Sequence, residues 1–170
     1  MDWRDDIPGR YPRANYEVNA TWPHLESWLR MMNEDNRLNL NPDYQRAHVW
    51  TEAQQVSFVE YALRGGEGGQ VLYWNAPGWM RGGEGPIELV DGKQRLQAVR
   101  KFIAGDLKVF GHRMEKPSDL GLYYSFRMKV CSLETRADVL RWYLAINAGG
   151  TPHTPEELDR VRALLAGEEA

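Results

Sequence analysis

Cysteine is all but absent from this sequence. Cys131 stands alone, so no internal disulfide can form and the chain suits a reducing compartment. Long apolar runs are missing too. No stretch is long enough to cross a bilayer, and the opening residues Met1-Asp2-Trp3-Arg4-Asp5-Asp6 carry charge where a signal peptide has an apolar core. A cytoplasmic protein without a membrane partner is expected. There is no excess of positive charge: the net charge is -3 over 170 residues, so nucleic acid would need a local basic patch. His24, His48, His112 and His153 show no metal-ligand spacing, and no metal site built from protein side chains alone is expected. No glycine-rich P-loop, Ser-His-Asp set or internal repeat is present.

What is there is organised around Ile87-Glu88-Leu89-Val90-Asp91-Gly92-Lys93-Gln94-Arg95-Leu96. It reads as a short apolar strand, a tight glycine turn and the first turn of a helix. Leu96, Val99, Phe102 and Ile103 follow at helical spacing, and Gly105 stops the run. Lys93 and Arg95 therefore fall where amide N–H groups lack intrahelical partners and the helix dipole is positive. Cations there repel that end unless an anion lies between them, which makes the turn a candidate phosphate cradle. The plainer alternative is a solvated first turn with Asp91 as its cap.

The rest of the chain supplies a core. With 42% hydrophobic residues, 170 residues suit one domain. The expected boundaries are an irregular arm over 1–15, a domain over 16–166 and a short acidic tail over 167–170. After a short strand at Tyr16, Thr21 is a candidate cap for a helix with the stripe Trp22, Leu25, Trp28, Leu29 and Met32. Thr51-Glu52-Ala53-Gln54 is a capping box, so a helix starts at Glu52 and ends at Gly65-Gly66. Val71 to Trp74 is a compact strand. Residues 75–85 form a Gly/Pro-rich loop, read either as a lid over the central turn or as a loop with no role. Leu107 to Phe110 is a further strand, and residues 111–121 are irregular. Tyr124, Phe126, Met128 and Val130 alternate with Ser125, Arg127 and Lys129, the mark of a half-buried strand with a basic face. Helices open at Thr135 and, through a second capping box, at Thr154. The expected class is α+β, a small mixed sheet surrounded by helices.

Asp91-Gly92-Lys93-Gln94-Arg95 resembles the DGQQR signature of a family in the ParB/sulfiredoxin-like superfamily, found as the N-terminal domain of modification-dependent restriction enzymes and in phage-defence proteins. Tyr44-Gln45-Arg46, Val49-Trp50, Gln54-Gln55 and Asn147-Ala148-Gly149-Gly150 extend the resemblance in the family's order. It implies a ParB/sulfiredoxin-like fold and a nucleoside triphosphate site, with Mg2+ as a possible companion and hydrolysis as the expected activity. Carried over by position, Tyr44, Gln45, Arg46, Gly92, Lys93, Arg95 and Asn147 would contact the nucleotide. Asp91, Gln94, Arg95 and Arg46 would serve catalysis: Asp91 for a metal-bound water or to orient an arginine, Gln94 for the attacking water, the arginines for phosphate oxygens. Gly92 would let the backbone approach the ligand. Lys93 stands where the family carries Gln. Trp50 is read as core packing ahead of base stacking, and Asn147 equally as an ordinary helix cap. Sulfiredoxins place a reactive Cys in the equivalent loop; this sequence has none there, which argues against reductase chemistry.

No HNH-type nuclease segment follows, which suggests a standalone phage- or mobile-element-type member. The expected partners are a nucleotide, DNA, and a separate nuclease chain or host protein. Two other readings stand beside the NTPase: a ParB-like DNA-binding protein or nuclease using Arg127, Lys129, Arg136 and Arg141, and a non-catalytic adaptor or decoy, hinted at by Lys93.

Overall fold

The computed structural model describes residues 12–36, 38–45, 50–81, 85–147 and 155–169. Its sheet has four strands in the order β1 (Tyr16–Thr21), β6 (Ser125–Cys131), β2 (Val71–Asn75) and β3 (Glu88–Asp91). β6 runs antiparallel to β1 and parallel to β2, while β2 and β3 are antiparallel. The sheet is therefore mixed, and the class is α+β.

Alternation along the strands divides the molecule into two cores. Phe126, Met128 and Val130 of β6, Leu72 and Trp74 of β2, and Leu89 of β3 point to one face. There they meet α1 (Leu25–Asn36), α2 (Glu52–Leu63) and α3 (Lys93–Ile103) through Leu25, Leu29, Val59, Leu96, Val99 and Phe102. Val90 and Cys131 point to the other face, against Val139, Leu140, Trp142 and Tyr143 of α4 (Arg136–Asn147) and Val161 of α5 (Pro155–Glu168). Each such buried side chain contributes roughly 1.5–3 kcal/mol against its exposed state. Arg127 and Lys129 share this second face, Arg127 exposed and Lys129 half-buried.

Several local expectations hold for identifiable reasons. Thr51 caps α2, with the Thr51 hydroxyl accepting from Gln54 N and the Gln54 side chain accepting from Thr51 N at 2.9 Å. α3 stops ahead of Gly105, whose φ is +78°. Others are corrected. Thr21 makes no capping bond to a helix amide; its hydroxyl lies 3.0 Å from His24 Nδ1, and a 3-10 turn over Trp22–His24 precedes α1. The strand expected within Leu107–Phe110 is β4 (Lys108–Val109), but the span expected to be irregular opens with β5 (His112–Arg113), which pairs with β4 in a tiny hairpin turned by Phe110 and Gly111, both at positive φ. Within the span 167–170, α5 runs on to Glu168, and Glu168 and Glu169 pair with Arg136 and Arg141 of α4. No helix among the described residues is long and apolar enough to cross a membrane.

Candidate functional site

The turn between β3 and α3 is built on Gly92. Its φ of +107° excludes most side chains, and a Cβ there would lie 2.1 Å from Leu72 Cδ2. Packing against β2 is thus enough to require a glycine here. Gly92 is also the residue preceding α3, so no side chain there caps the helix, and the first turn holds no acidic residue. Asp91 is not the cap either. Its carboxylate accepts from Arg95 Nη2 instead.

Arg95 is turned inward. Nη1 donates to Gly69 O at 2.7 Å and to Val71 O at 2.8 Å, and Nη2 to Asp91. The side chain is 17% exposed. Its fork ties the start of β2 to the β3–α3 turn, so the guanidinium expected on phosphate is engaged by the protein's own oxygens. Gln94 is similarly engaged: its Oε1 accepts from Trp50 N at 3.2 Å. Trp50 itself packs on Phe58, ring centres 5.6 Å apart, which is the core role. Lys93, the first helical residue, is half-buried, and burial lowers its pKa.

The Tyr44-Gln45 segment lies along the outer side of β3. Asn39 exchanges backbone bonds with Ile87 and Leu89, and Gln45 Nε2 donates to Leu89 O and, at 3.0 Å, to Val90 O. Gln45 is buried, and its Oε1 has no hydrogen-bond partner. Tyr44 is 2% exposed. Its hydroxyl donates to Glu88 Oε2 at 3.4 Å and its ring meets Tyr143 at 5.1 Å; burial first, then Glu88, raises its pKa. It belongs to the second core rather than to a ligand surface. Arg46 lies outside the described residues, as do Gly149 and Gly150. The residues either side of the 46–49 span, Gln45 and Trp50, are anchored to β3 and to Gln94 at the α3 end.

Topology settles which elements share that end. β2 and β3 are antiparallel, with Tyr73 opposite Asp91 and Asn75 opposite Glu88. The loop after Asn75 therefore leaves from the Glu88 end, roughly 10 Å from Asp91 at strand rise. Arg81 of that loop is pinned to Glu134 at 2.8 Å. Residues 82–84 of the loop read as a lid lie outside the described residues. α4 starts beside Asp43, at Arg136, and Trp142 packs against Tyr73, the partner of Asp91. Asn147 ends α4, five residues beyond Trp142. Its Nδ2 donates to Tyr143 O at 2.8 Å, the helix-cap role. A segment overlooked in the sequence arrives at the α3 end: Gly65-Gly66-Glu67-Gly68-Gly69, whose last carbonyl holds Arg95. Its four glycines in five residues were the available signal.

Two other groups of residues are placed. The basic strand is partly neutralised: Glu17, directly across from Lys129, is shared between Arg127 and Lys129 at 3.4 and 3.5 Å, while Asp43 and Glu168 hold Arg136, and Asp138 and Glu169 hold Arg141. Such a surface offers phosphate less than its cation count suggests. Cys131 is buried, and burial pushes its thiol up to about 11, away from reactivity at neutral pH.

A family model described as "GmrSD restriction endonuclease, N-terminal domain" matches residues 27–125, more than half of the chain. The chain belongs to this family. The match runs from α1 to the start of β6, so the GmrSD-type span contains Tyr44, Gln45, Arg46 and the whole Asp91–Arg95 turn, whereas α4 and α5 lie beyond it. The family's restriction endonuclease connects the chain to DNA restriction in general terms. Searches of curated proteins and of solved structures find no match.

Proposed function

We propose that this GmrSD-type domain binds a nucleoside triphosphate, with its phosphates at the start of α3, and hydrolyses it in the service of DNA restriction or phage–host defence. One observation carries the reading: α3 begins on a side-chain-free glycine, without an acidic residue in its first turn, and its first residue is a half-buried lysine. A helix start of this kind favours an anion, and Lys93 supplies a point charge beside it. In this reading Arg95 holds the turn in shape, Gln94 braces the start of α2, and Asp91 and Gln94 remain the candidates for Mg2+-bound and attacking water. Arg46 and Asn147 are the candidates for further ligand contacts, and Mg2+ enters with the triphosphate.

The test is calorimetric titration of the purified chain with each of the four common ribonucleoside triphosphates and Mg2+, followed by phosphate release. Binding of at least one triphosphate is expected, lost in Lys93→Glu at unchanged melting temperature. Absence of binding to all four overturns the proposal. Equal binding by Lys93→Glu moves the phosphates away from α3.

A further inference from the structure

The two helices beyond the family span converge on one residue within it. Arg136 Nη2, from α4, lies 2.6 Å from both carboxylate oxygens of Asp43. Arg160 Nη2, from α5, donates to the backbone carbonyl of the same residue at 2.6 Å. Glu168 holds Arg136 Nε at 3.2 Å and keeps the guanidinium aimed. Asp43 therefore receives contacts from two helices that are distant in sequence, through both its side chain and its main chain.

Its position gives this meaning. Asp43 sits in the segment that flanks β3, between the Asn39 bridge and the Gln45 amide, and Arg46 follows three residues later. Gln45 N donates to Pro42 O at 3.0 Å, a turn folded around Asp43. Ion pairs as exposed as Asp43–Arg136 add little to global stability. Their effect falls on placement: they fix the turn from which Gln45 reaches the Leu89 and Val90 carbonyls of β3.

We propose that Asp43 is a positioning residue, clamped by Arg136 and Arg160, through which the α4–α5 pair sets the 39–45 segment and, by way of the Gln45 amide on Leu89 and Val90, the end of β3 that leads into the Asp91–Lys93 turn of the nucleotide site. This rests on the nucleotide reading above. The clamp also provides a route by which anything that displaces α4–α5, such as a partner seated on those helices, alters nucleotide affinity without touching the nucleotide.

The test uses the full chain and the triphosphate that wild type binds best, with Mg2+. Asp43→Asn and Arg136→Gln should each weaken binding about threefold to tenfold while the melting temperature moves by no more than about 2 °C. The double variant should be no weaker than either single, because both remove one interaction. The exchanged pair, Asp43→Arg with Arg136→Asp, should recover part of the loss. Without nucleotide, amide exchange at Gln45 and Leu89 should quicken in the single variants. Unchanged exchange at both amides overturns the clamp whatever the nucleotide result. Faster exchange with unchanged affinity overturns the link to the site. If wild type binds no triphosphate, the functional reading has failed and this link fails with it, while the exchange arm still reports on the clamp.

Discussion

Replacing Gly92 by alanine separates packing from ligand approach as the reason for this glycine. At φ +107° a side chain costs about 1–3 kcal/mol in backbone strain. The added Cβ also falls 2.1 Å from Leu72 Cδ2. Leu72 is fully buried, so its methyl cannot swing into solvent, and forced overpacking costs about 1–3 kcal/mol more. The sum is about 2–6 kcal/mol, against a typical domain stability of about 5–15 kcal/mol. Urea unfolding of the nucleotide-free protein reads this directly. With a slope of about 2 kcal/mol per molar, the midpoint should fall by about 1–3 M at unchanged slope. A cycle with Leu72→Ala isolates the steric part. That change alone costs about 2–5 kcal/mol, but in its background Gly92→Ala should lose only the strain, about 1–3 kcal/mol. A full-sized loss in the Leu72→Ala background refutes the contact. A loss below about 0.5 kcal/mol in wild type refutes the whole account and returns Gly92 to a ligand-approach role.

Three further outcomes follow from named contacts. Arg95→Lys cannot span Gly69 O, Val71 O and Asp91 together, and should cost about 2–4 kcal/mol in thermal unfolding without nucleotide; lost nucleotide binding at unchanged stability would instead assign the guanidinium to the phosphates. Thr51→Ala removes one half of the α2 capping box and should cost about 1 kcal/mol, visible as faster amide exchange at Gln54. For Cys131, the unfolded thiol ionises near its ordinary value of 9.0 while the folded one is pushed up to about 11. Its contribution is therefore intact below pH 9 and lost as pH rises toward 11, by roughly 2–3 kcal/mol. Cys131→Ala should flatten that alkaline fall in denaturation midpoints; an identical fall in the variant would show that another group causes it.

What could be read from the sequence depended on whether both partners of an interaction lie close together in the chain. The α2 box was legible because Thr51 and Gln54 are three residues apart, and β6 because Phe126, Met128 and Val130 alternate with polar residues. β5 and the turn ahead of it were not, because a two-residue strand carries no period and Phe110 occupies a positive φ that Gly, Asn or Asp would advertise. At the site, the glycine turn and the helix start were legible at the correct residues. The direction of the charged side chains was not. Arg95 is spent on backbone carbonyls 24 and 26 residues away, and carbonyls are the same whatever the sequence. Tyr44 looked like a ligand contact because it precedes Gln45 and Arg46, yet Glu88 and Tyr143 draw it into the second core. The basic strand misled similarly: its cations were counted before Glu17 was known to lie opposite.

The inward turn of Arg95 changes the arithmetic of the proposed site. A micromolar ligand needs about 8 kcal/mol. The start of α3 contributes about 0.3–1 kcal/mol, up to about 2 kcal/mol when partly buried, and one charge-assisted contact from Lys93 about 1.5–3 kcal/mol. Without a second guanidinium fork, these fall short by about 3–6 kcal/mol. Two kinds of contribution can close the gap. One is Mg2+, which gathers phosphate oxygens that the protein does not touch. The other is Arg46, whose neighbours Gln45 and Trp50 are tied to β3 and Gln94. A site with so little affinity in reserve is sensitive to how its turn is held. That is why Asp43, gripped from two helices, matters to it: what is at stake is the hold of Gln45 on the end of β3 rather than the modest strength of an exposed ion pair.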